Sequence, residues 1–212
     1  MKIIKTYALS EKTLEKDIDK FIRDAKNGAY QYDYKYGQEG LKIIKAYFRM
    51  INDEFKKQNF QDARACYKKL LSFLMQTDHN YFNYEDILAK FNSEKIVGLY
   101  FTCLIKTCNA DELFHEYIEY LKFKEDYYFE SAEKAIMEEL DKETLDKFKA
   151  LLLKEADKIG KEDYAMQDVL TFLMDIVKKK DKDEKMFKEL AEKFAPILEY
   201  DNAKDILEEY EE

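Results

Sequence analysis

The chain has few of the residues that interrupt secondary structure. Its 212 residues include one proline and five glycines. A β-rich protein needs many tight turns, and glycine and proline are among the residues that turns use most. Apolar residues still make up 46% of the sequence, which is enough for a core in one or two domains and argues against a disordered chain. The composition therefore predicts an all-α fold.

Histidine and cysteine are also scarce, which limits metal and nucleophile chemistry. The chain has two histidines and three cysteines, and the cysteines form no C-x-x-C pair. Glu112 and His115 have the i, i+3 spacing of carboxylate-bridged dimetal bundles, but such bundles need a second Glu-x-x-His pair, which this sequence lacks. No glycine-rich phosphate loop is present either. We predict no catalytic residues, no metal site and no cofactor, with an enzyme lacking any recognisable motif as an alternative.

Long hydrophobic runs are absent as well. The longest uncharged apolar stretch covers residues 96–105, and its ten residues are too few to cross a bilayer. Residues 1–12, MKIIKTYALSEK, lack the apolar region of a secretory signal. The three cysteines have no disulfide-scaffold spacing and are typical of reduced thiols. We therefore expect a cytoplasmic protein with no membrane partner.

Charge is distributed unevenly along the chain. The formal net charge is −9, yet residues 1–80 contain 16 lysines and arginines against 11 aspartates and glutamates. Residues 81–212 contain 20 basic residues against 34 acidic ones. Such asymmetry can steer a partner or orient self-association. The overall acidity argues against a general nucleic-acid binder, although the basic first part is compatible with contacts to phosphates.

Apolar residues recur at helical spacing through most of the chain, which predicts about eleven helices and no strand. The clearest unit is residues 38–76, where a short break at Gln58-Asn59-Phe60 separates two such stretches, so that they must pack as an antiparallel hairpin. Polar residues, glycine and proline indicate where other helices begin or end. These residues are Ser10, Asn27-Gly28, Asn83, Ser93, Asn109, Asp141, Gly160 and Pro196.

The second helix of this hairpin carries an aromatic residue, alanine, an aromatic residue and leucine at Phe60, Ala63, Tyr67 and Leu71. A related pattern follows 69 residues later in residues 125–140. Residues 41–71 resemble one tetratricopeptide (TPR) unit, with Gln58 where that family usually has glycine. The resemblance implies antiparallel hairpins stacked as a TPR-like superhelix or an irregular helical array.

Residues 20–155 also resemble the helical regions attached to bacterial SWIM-type zinc-finger proteins. The likeness rests on a G-x-Y-x-Y start, a hairpin with an alanine at its elbow and a later D-Y-x-F-x-x-A helix. The cysteine and histidine ligands of the finger are absent, so its function is not implied. On this basis we divide the chain into an N-terminal helix with a tyrosine-rich connector, residues 1–37, and a helical-repeat domain, residues 38–212.

Both resemblances imply an interaction scaffold without catalytic residues. We therefore predict a non-enzymatic scaffold that binds another protein or a peptide. Its groove would be lined by the first helices of the hairpins. In the best unit, the predicted partner-binding residues are Tyr47, Arg49, Met50 and Asn52.

The tyrosine-rich stretch at residues 27–40 suggests a second hypothesis. Its four tyrosines alternate with polar residues, and we interpret it as an ordered connector whose rings pack on the first hairpin. Alternatively, the rings stack on bases while nearby basic side chains contact phosphates. That nucleic-acid hypothesis assigns Tyr30, Tyr32, Tyr34, Tyr36, Lys35, Lys42, Lys45 and Arg49.

Overall fold

The computed structural model describes residues 13–31, 34–76, 81–82, 87–124, 127 and 129–211, and of Tyr34 and Tyr36 the backbone only. Over these residues the chain has ten α-helices and no strand, which confirms the all-α prediction. A 3₁₀ turn spans Leu88–Lys90, and a π-helical segment, Ile176–Asp181, follows the eighth helix. The helices are α1 (Leu14–Lys26), α2 (Tyr34–Lys56), α3 (Phe60–Met75), α4 (Ser93–Thr107), α5 (Ala110–Lys124), α6 (Ser131–Glu139), α7 (Lys142–Ala156), α8 (Tyr164–Asp175), α9 (Glu184–Phe194) and α10 (Ala203–Glu209).

The chain forms two compact units. The first comprises Met1–Thr107 with Tyr127–Lys134, and the second comprises Cys108–Asp126 with Ala135–Glu212. The first unit contains 20 basic residues against 16 acidic ones, whereas the second contains 16 against 29. The charge asymmetry of the sequence therefore separates a unit of net charge +4 from one of −13. The predicted boundary between residues 37 and 38 falls inside α2.

In the first unit, α2 and α3 form the predicted hairpin, and α1 and α4 pack against α3. The backbone N–H of Asn59 donates to the Glu54 carbonyl oxygen at 3.0 Å and closes the turn. Gln58 has φ +66°, in the left-handed region that glycine adopts without steric cost. A left-handed residue at position 58 is compatible with the TPR resemblance, in which glycine usually stands at this position.

The ends of α1 and α2 differ in part from the sequence-based boundaries. Asn27 and Gly28 end α1 as predicted, because Gly28 has φ +82°. Thr13 stands at the start of α1, and the predicted cap Ser10 lies outside the described residues. The expected start of α2 near Gln38 is wrong, because the helix begins at Tyr34.

Gly40 lies inside α2 rather than in a turn, and it allows an aromatic cluster to approach the helix. A Cβ atom built on Gly40 would lie 2.5 Å from Cδ1 of Phe82 and 3.2 Å from Cγ of Tyr30. The 2.5 Å distance is one that Cβ atoms essentially never show, so a side chain here would force Phe82 to shift. Phe82 also stacks on Phe21, with ring centroids 5.9 Å apart. Glycine is therefore favoured at this position by close packing, not by backbone conformation.

In the second unit, α7 and α8 pack on α5, and α9 packs with α10. The predicted caps Asn109 and Asp141 are confirmed, since each side chain accepts a hydrogen bond from the backbone N–H three residues later. An ion pair joins α5 to α8: Lys124 Nζ lies 2.6 Å from a carboxylate oxygen of Asp168. Lys124 is 6% exposed, whereas the Asp168 side chain is 32% exposed, so the lysine is buried and its partner is partly open to water.

The remaining predicted boundaries are confirmed in some places and corrected in others. α4 begins at Ser93 as expected, and Pro196 follows the end of α9. Gly160 does not end α7, which stops at Ala156 with Asp157 as its C-cap. Asn83 lies outside the described residues, and the short helix expected after it is seen only as the 3₁₀ turn.

Candidate partner-binding face of helix α2

The four residues predicted to line a groove do not share one surface. Successive residues of an α-helix are rotated by about 100°, so residues 47, 49, 50 and 52 face different directions. Tyr47 is 2% exposed, and its hydroxyl donates to the Asp17 carbonyl oxygen at 3.1 Å. Arg49 is exposed on the other side of the helix. The assignment of Tyr47 as a contact residue is therefore corrected: it holds α2 against α1.

The structure instead brings together the basic residues of the alternative hypothesis. Lys35, Lys42 and Arg49 are exposed and follow each other at seven-residue intervals along α2. Seven residues are nearly two helical turns, so these side chains stay on one side of the helix and drift by only about 20° per interval. Two further exposed lysines lie on the same side. We call this surface the α2 basic face, and its members are Lys35, Lys42, Lys45, Arg49 and Lys56.

Sequence reasoning missed Lys56 and did not recognise that most members of this face repeat every seven residues. Lys56 continues the series 35, 42, 49 by another seven residues, a spacing that a search for basic heptads would have found. The hypothesis grouped the lysines with tyrosines that repeat every two residues. The seven-residue repeat of the basic residues was therefore not recognised.

The ion pairs on the α2 basic face are weak and local. Lys42 Nζ lies 2.9 Å from a carboxylate oxygen of Glu39, and Lys56 Nζ lies 3.4 Å from one of Asp53. Exposed pairs three residues apart on a helix contribute about 0.2–0.5 kcal/mol. Among the described residues, Lys35, Lys45 and Arg49 form no ion pair. Five cations against two carboxylates leave the face with a net charge of +3.

The opposite side of α2 is anchored in the core of the first unit. Ile44 and Ile51 are fully buried there, as expected for an amphipathic helix. Glu54 is also buried, and its carboxylate accepts hydrogen bonds from Asn59 Nδ2 at 2.6 Å and from Lys57 Nζ at 2.9 Å. The hydrogen bond from Asn59 lowers the pKa of the Glu54 carboxyl despite its burial. The buried side of α2 therefore holds the helix in place, with the α2 basic face turned to solvent.

The tyrosine ladder divides in the structure. Tyr30 is 8% exposed, and its ring lies 5.3 Å from that of Phe21 and 5.7 Å from that of Phe82, between centroids. It packs in the aromatic cluster and is not accessible for base stacking, which corrects its assignment as a nucleic-acid contact. Tyr32 and the side chains of Tyr34 and Tyr36 lie outside the described residues.

The other polar candidates have structural roles. His115 Nδ1 lies 2.7 Å from the Asp111 carbonyl oxygen, and Glu112 exchanges hydrogen bonds with Asn109 at the start of α5. In the described part of the chain, no group of three or more histidine, cysteine, aspartate or glutamate residues is placed to hold a metal ion. Burial raises the pKa of the Cys66 thiol to about 12, which disfavours the nucleophilic thiolate.

Comparisons with known proteins add no family to this description. The chain matches no protein-family model, no curated protein and no solved structure. No helix formed by the described residues is long and apolar enough to cross a membrane.

Proposed function

We propose that this chain is a non-enzymatic helical scaffold that binds an acidic segment of another protein through the α2 basic face. The observation that carries the proposal is the set of five exposed cations on one side of a single helix, in a chain whose net charge is −9. Cations scattered over all sides of α2 would not favour an acidic ligand on one side of the helix. An acidic ligand gains from several of these cations at once.

The α2–α3 hairpin supports the scaffold part of the proposal. A three-residue turn with a left-handed Gln58 joins the two helices, which is compatible with the resemblance of residues 41–71 to a TPR unit. Units of this kind present one helix of each pair to a partner. In this chain the presented helix is α2, and the contact surface is its polar outer side rather than the set around Tyr47.

An acidic protein segment is favoured over nucleic acid as the ligand of this face. Non-specific nucleic-acid binding depends on many phosphate contacts, and the face has a net charge of only +3. Stacking platforms are the second requirement for single strands, and one of the four tyrosines assigned to stacking, Tyr30, lies in the core. The second unit, with 16 basic residues against 29 acidic ones, repels a polyanion.

Site-specific photo-crosslinking tests the proposal. Benzoylphenylalanine is placed at Ala46, which lies between Lys42 and Arg49 on the α2 basic face, and the variant is expressed in the source organism. The matched control carries the same residue at Tyr164, an aromatic side chain of the second unit that is 66% exposed. The expected result is one protein crosslinked through an acidic segment from position 46 and not from position 164.

Charge reversal separates a specific contact from adventitious capture. The double substitution Lys42→Glu and Arg49→Glu should abolish the crosslink from position 46. Lys142→Glu with Lys185→Glu changes the net charge equally on exposed positions of the second unit and should leave it intact. A crosslinked segment that is not acidic, or one that survives reversal of the α2 basic face, would contradict the proposal. Crosslinks to nucleic acid alone would replace it with the alternative.

A further inference from the structure

We infer that the acidic segment recognised by the α2 basic face is itself an α-helix with carboxylates at seven-residue intervals. The inference rests on the proposed function and names the partner's conformation. Its basis is the spacing of Lys35, Lys42 and Arg49 on a continuous helix of 23 residues. An α-helix rises about 1.5 Å per residue, so these positions lie about 10.5 Å apart along the axis.

A partner helix with the same repeat stays in register with this spacing. Acidic residues seven apart have the same axial rise of about 10.5 Å and the same angular drift of about 20° per interval. Two helices that share this drift pack side by side at a small crossing angle, as in helical bundles. Three carboxylates can therefore meet Lys35, Lys42 and Arg49 at the same time.

An extended acidic peptide does not match the spacing. Its residues rise about 3.3 Å each, and alternate residues point to the same side, about 6.6 Å apart. Such a strand brings carboxylates close to Lys35 and Arg49, about 21 Å apart, but not to Lys42 midway between them. Nucleic acid has the opposite mismatch, because a duplex carries about one charge per 1.7 Å of axis. Most of its charges would find no cation on α2.

The side chains between the cations also suit a helix. Ala46 lies one turn from both Lys42 and Arg49 and is half-buried. A small residue at this position leaves a depression into which a side chain of a second helix can insert. Two carboxylates on the face oppose another acidic group: Glu39, which pairs with Lys42, and Asp53, which pairs with Lys56. We therefore expect the partner's acidic residues to face Lys35, Lys42 and Arg49, with neutral or basic residues opposite Glu39 and Asp53.

Matched synthetic peptides test the inference with the full chain. The first is an alanine-rich helix of about 22 residues with glutamates at positions 1, 8 and 15. The second has the same composition and length, with its three glutamates moved to three different sides of the helix. The third keeps the heptad glutamates but carries two central prolines, which prevent a continuous helix. Fluorescence anisotropy at low ionic strength measures the three affinities, with oligo(dT) of 20 nucleotides as a fourth probe.

The heptad helix should bind about tenfold more tightly than either of the other peptides, because only it engages three cations together. The Lys42→Glu, Arg49→Glu variant should lose that advantage, and the Lys142→Glu, Lys185→Glu variant should keep it. Equal binding of all three peptides would overturn the helical inference while leaving an acidic partner in place. Failure of every peptide to bind, or tighter binding of oligo(dT), would overturn the proposed function together with the inference.

Discussion

Replacing Gly40 or Gly98 by alanine should change the free energy of unfolding in opposite directions. Both glycines lie inside helices of the first unit, α2 and α4 respectively. Alanine in a helix interior is normally more favourable than glycine by about 1 kcal/mol. Any difference between Gly40→Ala and Gly98→Ala therefore reports on what surrounds the added methyl group, since the backbone contribution is common to both.

The surroundings of Gly40 have no room for a methyl group. Its Cβ would lie 2.5 Å from Cδ1 and 2.8 Å from Cε1 of Phe82, and 3.2 Å from Cγ of Tyr30. Phe82 is 2% exposed and its ring also contacts Phe21 and Phe73, so it cannot move without disturbing the cluster. Overpacking of this kind costs about 1–3 kcal/mol and can exceed the helical gain. We expect Gly40→Ala to lower the free energy of unfolding by about 1–2 kcal/mol.

At Gly98 the added methyl group fits. The nearest atom to its Cβ would be Cβ of Ser131 at 3.4 Å, an ordinary van der Waals distance. Gly98→Ala should therefore raise the free energy of unfolding by up to about 1 kcal/mol. Urea unfolding followed by circular dichroism at 222 nm measures both variants. Tyrosine near-ultraviolet dichroism provides a second probe that detects separate transitions of the two units.

A double-mutant cycle identifies the clash. Phe82→Leu removes ring atoms beside Gly40 and should destabilise the wild-type chain, yet it should partly relieve the Gly40→Ala variant. Strict additivity of the two substitutions would show that the added methyl group does not meet Phe82. Equal effects of Gly40→Ala and Gly98→Ala on stability would refute the argument altogether.

Three further predictions concern one turn residue and two polar contacts. Gln58→Gly should raise the free energy of unfolding by about 1 kcal/mol relative to Gln58→Ala, because only glycine adopts the left-handed turn without strain; equal stability in urea would contradict it. The lowered pKa of Glu54 means that its contribution is present above the ordinary value of 4.5 and is lost as the pH falls through the folded-state pKa. Wild type and Glu54→Gln should therefore converge in stability between pH 6 and pH 3, whereas a constant difference would exclude the linkage. Asp168→Asn should cost about 1–2 kcal/mol by removing the carboxylate from Lys124, because the lysine is buried while the aspartate side is partly open to water, and an unchanged melting temperature would show that the ion pair is dispensable.

Helix ends were predicted correctly where the signal that fixes them lies within a few residues. The capping side chains of Asn109 and Asp141, and the stop at Asn27-Gly28, act within one helical turn and were recognised correctly. The early start of α2 was missed because the tyrosines before Gln38 alternate with polar residues, a pattern typical of an extended segment. Gly40 lies inside the helix beside the ring of Phe82, which is 42 residues away and cannot be recognised from local pattern.

The candidate site was predictable in its residues but not in its grouping. Composition and charge pointed to Lys35, Lys42, Lys45 and Arg49, and the structure places all four on one side of α2. Tyr47 was assigned to a surface because the first helix of the hairpin was expected to line a groove. Its burial follows from the rotation of α2, which turns residues 44, 47 and 51 toward the core. Helical phase therefore decides which members of a residue set can act together.

Charge segregation gives the α2 basic face a selectivity that its few cations alone would not supply. An acidic partner is attracted by a face of net charge +3 and repelled by a unit of −13. Between exposed charges, both interactions decay over about 8 Å at physiological ionic strength. Only the charges within that distance of a bound segment therefore act on it strongly. A segment bound along α2 gains from the +3 of the α2 basic face itself, whatever the net charge of the chain. An acidic chain as a whole is thus compatible with an acidic partner, because local charge and not net charge decides the contact.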